Sequence, residues 1–234
     1  MVANFLGQVP EAILIAIGVV LIGNGTHLIL ASLRKIPLVS EVIWFSLGDF
    51  CWWLATLFLI VADVWITSFW GVSAAVLVAV AVATLGVLQL WVLGLLKRGN
   101  TVHAHLVACV TSWFALPKWV KIWLILLNGI FLTAFFFLPS RVGEVTVIAY
   151  CATAPLLAGQ VGYDAGLRRI LALSHLVPWL PLLMWLVFFA EQTLYSICLA
   201  VTVAICLAFD IYDVWLFLKG DRSLWGKPIP KDQI

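Results

Sequence analysis

Seven apolar runs follow one another through this 234-residue chain, at roughly 11–33, 40–62, 72–96, 119–139, 145–163, 169–190 and 194–218. Each approaches the ~20 residues with which a helix, rising ~1.5 Å per residue, crosses ~30 Å of hydrocarbon. Hydrocarbon offers no partner to a backbone N–H or C=O, so a spanning run must satisfy its own backbone, and only a helix does so within one segment. The runs alone therefore predict an all-α integral membrane protein with seven transmembrane helices, forming a single transmembrane domain over 1–234. Composition agrees: 65% of residues are hydrophobic and 10% charged, whereas a soluble domain is about half apolar and a quarter charged. Too little polar surface exists to cover such a chain in water. The fifth run is the shortest and contains Pro155 and Gly159.

The first run, "EAILIAIGVVLIGNGTHLILASL", has neither a basic leader before it nor a small-x-small cleavage site after it, so it is expected to stay as a helix and not to leave as a signal peptide. Among the thirteen Lys and Arg, all but Arg141 fall on one side of the alternating runs, in or beside the connections 34–39, 97–118 and 164–168, just inside the fourth run at Lys121, and after 218. Asp63, Glu144 and Glu191 occupy the opposite turns. Basic residues concentrate on the cytoplasmic side, so the expected orientation places the N-terminus outside and the C-terminus in the cytoplasm. The second and third runs also resemble the sixth and seventh. Each pair shows a Trp-led helix, a short acidic turn, an apolar helix and an end carrying Trp, Leu, Gly and a basic residue. Two parallel three-helix repeats with the fourth run between them, a 3+1+3 plan, is one reading; ordinary similarity between hydrophobic hairpins is the other.

Within the runs, His27, Asp49, Gln89, Asn128, His175 and Asp210 all count to roughly 9–14 Å from the basic ends of their helices, with Asp213 slightly shallower. An ionisable side chain at mid-helix costs about 2.5–3.5 kcal/mol to insert, so such groups face the bundle interior and pair with one another. Asp210 and Asp213 are three residues apart and share a helix face. Two carboxylates brought together in a low dielectric do not both ionise readily, and such a pair is a proton-holding site. Asp49, Asp210 and Asp213 are thus the candidate catalytic acids, with helix-to-helix hydrogen bonding as the alternative for Asp49 and Asp210, and pairing with an inner-leaflet Lys or Arg as the alternative for Asp213. His27 and His175 read as polar partners, and Asn24, Gln89, Asn128 and Gln160 as interhelical glue. His103 and His105, in "GNTVHAHLVAC", are expected in a solvated loop.

Pro155, Pro178 and Pro181 remove backbone donors and should bend the fifth and sixth helices. Bent helices widen a bundle, and Trp52, Trp53 and Trp179, with His27, His175 and Tyr212, are the candidate lining of an aromatic site for a largely apolar small-molecule substrate. Five cysteines, Cys51, Cys109, Cys151, Cys198 and Cys206, are scattered without CxxC spacing and read as small apolar packers. No metal, cofactor or nucleic-acid partner is expected. Membrane lipids are the expected surroundings, with a second copy or a larger membrane complex as possible company.

The stretch "GDFCWW", from Asp49 to Trp53, and the last run's "FDIYDVWLFLKG", with Asp210, resemble motifs in the second and last helices of the small seven-helix membrane-bound terpene cyclases of fungal meroterpenoid pathways. The resemblance implies acid-initiated cyclisation of an epoxidised isoprenoid, with Asp210 at the family's Asp. At the family's acidic Glu stands Trp53, so Asp49, one helical turn earlier, would take that part. "SHLVPWL" and "FDIYDV" are also similar to the last two helices of microbial rhodopsins. Val214 occupies the position of their retinal-binding Lys, which excludes a covalent retinal pigment. The 3+1+3 plan is similar to that of small sugar transporters, although no Pro-Gln dipeptide occurs. Three functions follow as expectations: an intramembrane cyclase or isomerase acting on an isoprenoid or lipid-like substrate, a small-solute or proton-coupled transporter using the same acids, and a non-catalytic subunit of a larger membrane complex.

Overall fold

A computed structural model describes residues 5–7, 9–34, 38–138 and 140–221. Lys35 and the basic tail residues Arg222, Lys227 and Lys231, which carry part of the orientation argument, lie outside the described residues. The described residues are mostly helical: α1 Glu11–Ser32, α2 Val39–Val61, α3 Phe69–Arg98, α4 Val102–Phe114, α5 Lys118–Leu132, α6 Arg141–Asp164, α7 Leu173–Phe188 and α8 Leu194–Leu218. Short 3-10 turns at Thr133–Phe137 and Arg169–Ala172 extend α5 and introduce α7. Among the described residues there is no strand, only an antiparallel bridge between Gly7 and Ile66. Seven of these stretches are long and apolar enough to cross a membrane, which makes this a multi-pass membrane protein with α4 as an additional, shorter apolar helix. Their bounds lie within a few residues of the seven runs, and the fifth, at 24 residues, is not the short one.

Local chemistry explains where the helices start and stop. Thr101 and Ser140 accept hydrogen bonds from the backbone N–H groups of Ala104 and Gly143, capping α4 and α6. Thr193 and Ser196 form a reciprocal capping box at the head of α8, satisfying donors that the first turn of a helix otherwise leaves open. Helix α6 ends where Ala165 turns left-handed, with φ 53°, a conformation in which the chain cannot continue an α-helix.

The chain divides into two compact units, 1–93 and 94–234, with the division falling inside α3. In the first unit, α1 has no buried residue. Helix α2 buries one face, including Phe45, Phe50 and Trp53. Gly86 of α3 lies against α2, where an added Cβ would stand 3.0 Å from the Asp49 Cβ. Leu6 O accepts from Thr67 N and Ser68 N, so the start of the described chain is tied to the turn after α2.

In the second unit α5, α6, α7 and α8 surround a core that includes Leu127, Phe131, Trp179, Leu186, Leu199 and Val203. Lipid is as apolar as these side chains, so close packing and interhelical hydrogen bonds hold such a bundle together. Gly94 shows how close: an added Cβ there would stand 2.6 Å from the carbonyl oxygens of both Gly162 and Tyr163. Helix α4 corrects one expectation. Its His103 is exposed, but His105 is fully buried. The His105 Nε2 donates to the Gly162 carbonyl at 2.6 Å, near the end of α6, where carbonyls have lost their helical partners. The 97–118 stretch is therefore largely helix, and one of its two histidines is a buried tie.

Candidate functional site

Among the described residues, a cluster of titratable side chains lies in the second unit, where α7 meets α8. Cys206 and Asp210 are one turn apart on α8 and so project from the same face. Asp210 is 7% exposed. Its Oδ1 lies 3.3 Å from His175 Nδ1 on α7, and its Oδ2 lies 3.5 Å from Cys206 Sγ. The thiol donates through S–H, and the imidazole nitrogen shares a hydrogen with the carboxylate, as donor or acceptor according to its tautomer. The His175 ring stacks on Trp179 one turn along α7, with centroids 4.4 Å apart and planes 15° apart. Trp179 stacks on Phe131 of α5 at 4.5 Å, and Phe131 on Tyr150 of α6 at 5.3 Å. The Tyr150 hydroxyl donates to Asn128 Oδ1 at 2.6 Å, and Asn128 Nδ2 donates to the Leu124 carbonyl at 2.7 Å. A column of four rings from three helices thus ends at a buried carboxylate. The indole Nε1 of Trp179, a residue only 3% exposed, has no hydrogen-bond partner.

Asp213, one turn beyond Asp210, meets an arginine. Its Oδ1 lies 2.5 Å from an Arg169 terminal nitrogen, and Arg169 Nε lies 2.9 Å from Asp221 Oδ2. The three charges continue from the buried part of α8 to its last turn and just beyond. A further ion cluster lies at the end of α6, where Asp164 receives Arg168 at 3.3 Å and Arg98 at 3.6 Å.

The remaining candidates belong to the first unit or to another face of α8. In the first unit Asp49, on α2, accepts from Gln89 Nε2 of α3 at 3.2 Å, and the Gln89 oxygen accepts from Ser46 at 3.0 Å. Trp53 is buried with its indole nitrogen unpartnered, and Trp52 is half-buried. The His27 imidazole lies 3.2 Å from Glu41, which also holds Arg34 at 2.6 Å, and it packs against the Phe45 ring. Tyr212 is more than half exposed on α8 and stacks on Trp215 at 5.8 Å. So His175, Trp179 and Asp210 come together, with Asp213 one turn away. Asp49, Trp52, Trp53 and His27 belong to the first unit, and Tyr212 occupies another face of α8.

Sequence reasoning passed over Cys206, reading it as an apolar packer. It is buried, as a packer would be, but its thiol also faces a carboxylate. The four-residue spacing in "CLAFD" was the available signal. Phe131, Tyr150 and Arg169 had no such signal, because their partners are distant in the chain. No family profile, characterised protein or solved structure matches this chain.

Proposed function

We propose that this protein is an intramembrane enzyme that uses a buried acid to start the cyclisation or isomerisation of an isoprenoid or similar lipid-like substrate. The observation that carries the reading is the Asp210–His175 pair at the end of the His175–Trp179–Phe131–Tyr150 ring column. An acid in a low-dielectric site can protonate an epoxide oxygen or an alkene carbon, which water-exposed carboxyls do poorly. The positive charge that then develops on carbon is attracted to aromatic faces. Loss of a proton from the product cation returns the acid to its starting state, with His175 as the neighbouring base. Asp213, through Arg169 and Asp221, extends polar groups to the end of α8. Asp49 serves the same chemistry only if the first unit contributes to the substrate's surroundings. The charge pattern orients the protein with its N-terminus outside and its C-terminus in the cytoplasm; membrane lipids surround it, and reporter fusions at the two ends test that orientation.

The test is turnover of epoxidised and plain polyprenyl substrates by the protein in lipid nanodiscs, followed by mass and chromatographic shift of the product. Asp210→Asn should cut turnover by about 10²-fold or more, the scale of lost general-acid catalysis, while the variant still extracts as a folded protein. Full activity in Asp210→Asn ends this reading. The Asp213–Arg169–Asp221 series favours one second reading, a proton-coupled carrier of small solutes. It predicts pH-driven uptake into proteoliposomes with the solute chemically unchanged.

A further inference from the structure

The Cys206 thiol, the His175 imidazole and the Asp210 carboxylate are drawn from two helices into one small volume, and their nearest donor atoms all lie within 4.8 Å of one another. We propose that this trio is a binding site for a divalent transition metal of the zinc class, with three protein donors and a fourth position open.

Geometry is the first argument. A tetrahedral ion with bonds of about 2.0–2.3 Å to N, O and S sets its ligand atoms roughly 3.3–3.6 Å apart. The observed Nδ1 to Oδ1 separation is 3.3 Å, and the Sγ to Oδ2 separation is 3.5 Å. Each oxygen of the carboxylate thus meets one of the other two donors at ligand spacing, and one atom from each of the three side chains lies within 4.8 Å of the others, so a small closure would bring all three onto one ion. Charge is the second argument. A thiolate, a carboxylate and a neutral imidazole carry two negative charges, which a dication cancels. In a buried setting within a membrane span, a neutral complex is the one with the smallest desolvation penalty. Donor chemistry is the third. One sulfur, one nitrogen and one oxygen suit borderline-soft ions such as Zn²⁺ and Co²⁺, and disfavour Mg²⁺ and Ca²⁺, which require oxygen.

The surroundings supply what ligands of this kind usually need. Trp123 packs against the buried cluster that contains Cys206. Trp179 covers one face of the His175 ring, and its own indole N–H lacks an acceptor, which an oxygen-bearing group at the fourth position would provide. Residues that orient ligands in this way tune metal affinity. This inference is independent of the cyclisation reading. Metal and proton compete for the same three side chains, so binding is measured without turnover, and turnover is measured with and without metal.

The full chain, purified in detergent and freed of metal by a chelator, is titrated with Co²⁺ alone. One Co²⁺ should bind per chain, with a thiolate-to-cobalt charge-transfer band in the near ultraviolet and the strong visible bands of a four-coordinate ion. Cys206→Ser, a one-atom change, should lose the charge-transfer band, and Cys198→Ser, at an exposed cysteine on the same helix, should keep it. His175→Gln and Asp210→Asn should each weaken binding by roughly tenfold or more. Zn²⁺ should displace Co²⁺ and raise the melting temperature of the parent protein but not of Cys206→Ser. Absence of the band in the parent protein, or its persistence in folded Cys206→Ser, overturns the proposal. Should the cobalt signature appear while the metal-free protein shows no turnover, the site stands and the cyclisation reading falls.

Discussion

Asp49 and Asp210 look alike in sequence, each an acid deep within a hydrocarbon-length run, yet their surroundings differ. Asp49 is half-buried and receives the amide of Gln89, which is itself held by Ser46. An amide and a carboxylate complete one another and fasten α2 to α3. Asp210 is buried and faces an imidazole and a thiol, both of which can exchange protons or bind a metal. A buried acid therefore acquires its role from the neighbour that meets it. An amide makes it a fastener, and titratable groups give it partners with which protons or a metal can be shared.

The comparison breaks or sharpens according to how the two units respond to substitution. The largest stability effect is expected at Arg169→Ala, which strands Asp213 with its side chain only 7% exposed. Removing one partner of a buried ion pair costs about 3–5 kcal/mol, read as a loss of resistance to unfolding in mixed detergent. Adding Asp213→Asn should recover most of that loss, and a small effect of Arg169→Ala would show the charges near Asp210 to be dispensable. Gly94→Ala comes next, because its Cβ would meet two backbone oxygens at 2.6 Å. Overpacking of this kind costs roughly 1–3 kcal/mol, seen as a lowered melting temperature. Asp49→Asn should be mildest, at about 0.6 kcal/mol, the average for an interhelical side-chain hydrogen bond in a membrane. If it proved as costly as Arg169→Ala, the contrast between fastener and reactive centre would collapse.

The spans were legible because hydrocarbon imposes one rule on every backbone group, and a run of apolar residues states that rule directly. Within those spans, Asp210, His175 and Trp179 were identifiable because ionisable or large amphipathic side chains are conspicuous in oil. Their partners were not. The stacking of Phe131 between Trp179 and Tyr150 depends on how α5, α6 and α7 pack, and nothing in a phenylalanine-rich run marks one ring among many. Cys206 was hidden for the opposite reason: a buried thiol is so often a small apolar filler that its chemistry goes unread until a carboxylate is found beside it. His105 illustrates a third failure. A connector of mixed composition gave no sign that α4 would form and bury that ring against the end of α6.

One further consequence lies in the two prolines of α7. Pro178 and Pro181 bring no N–H, so the carbonyls of Ser174 and Val177 lose the donors that would stand four residues on. Those missing rungs begin immediately beside His175 and bracket Trp179. Helix α8, which carries Cys206 and Asp210, has an unbroken ladder. The cluster thus joins a helix with its full set of rungs to one in which two are missing beside the imidazole.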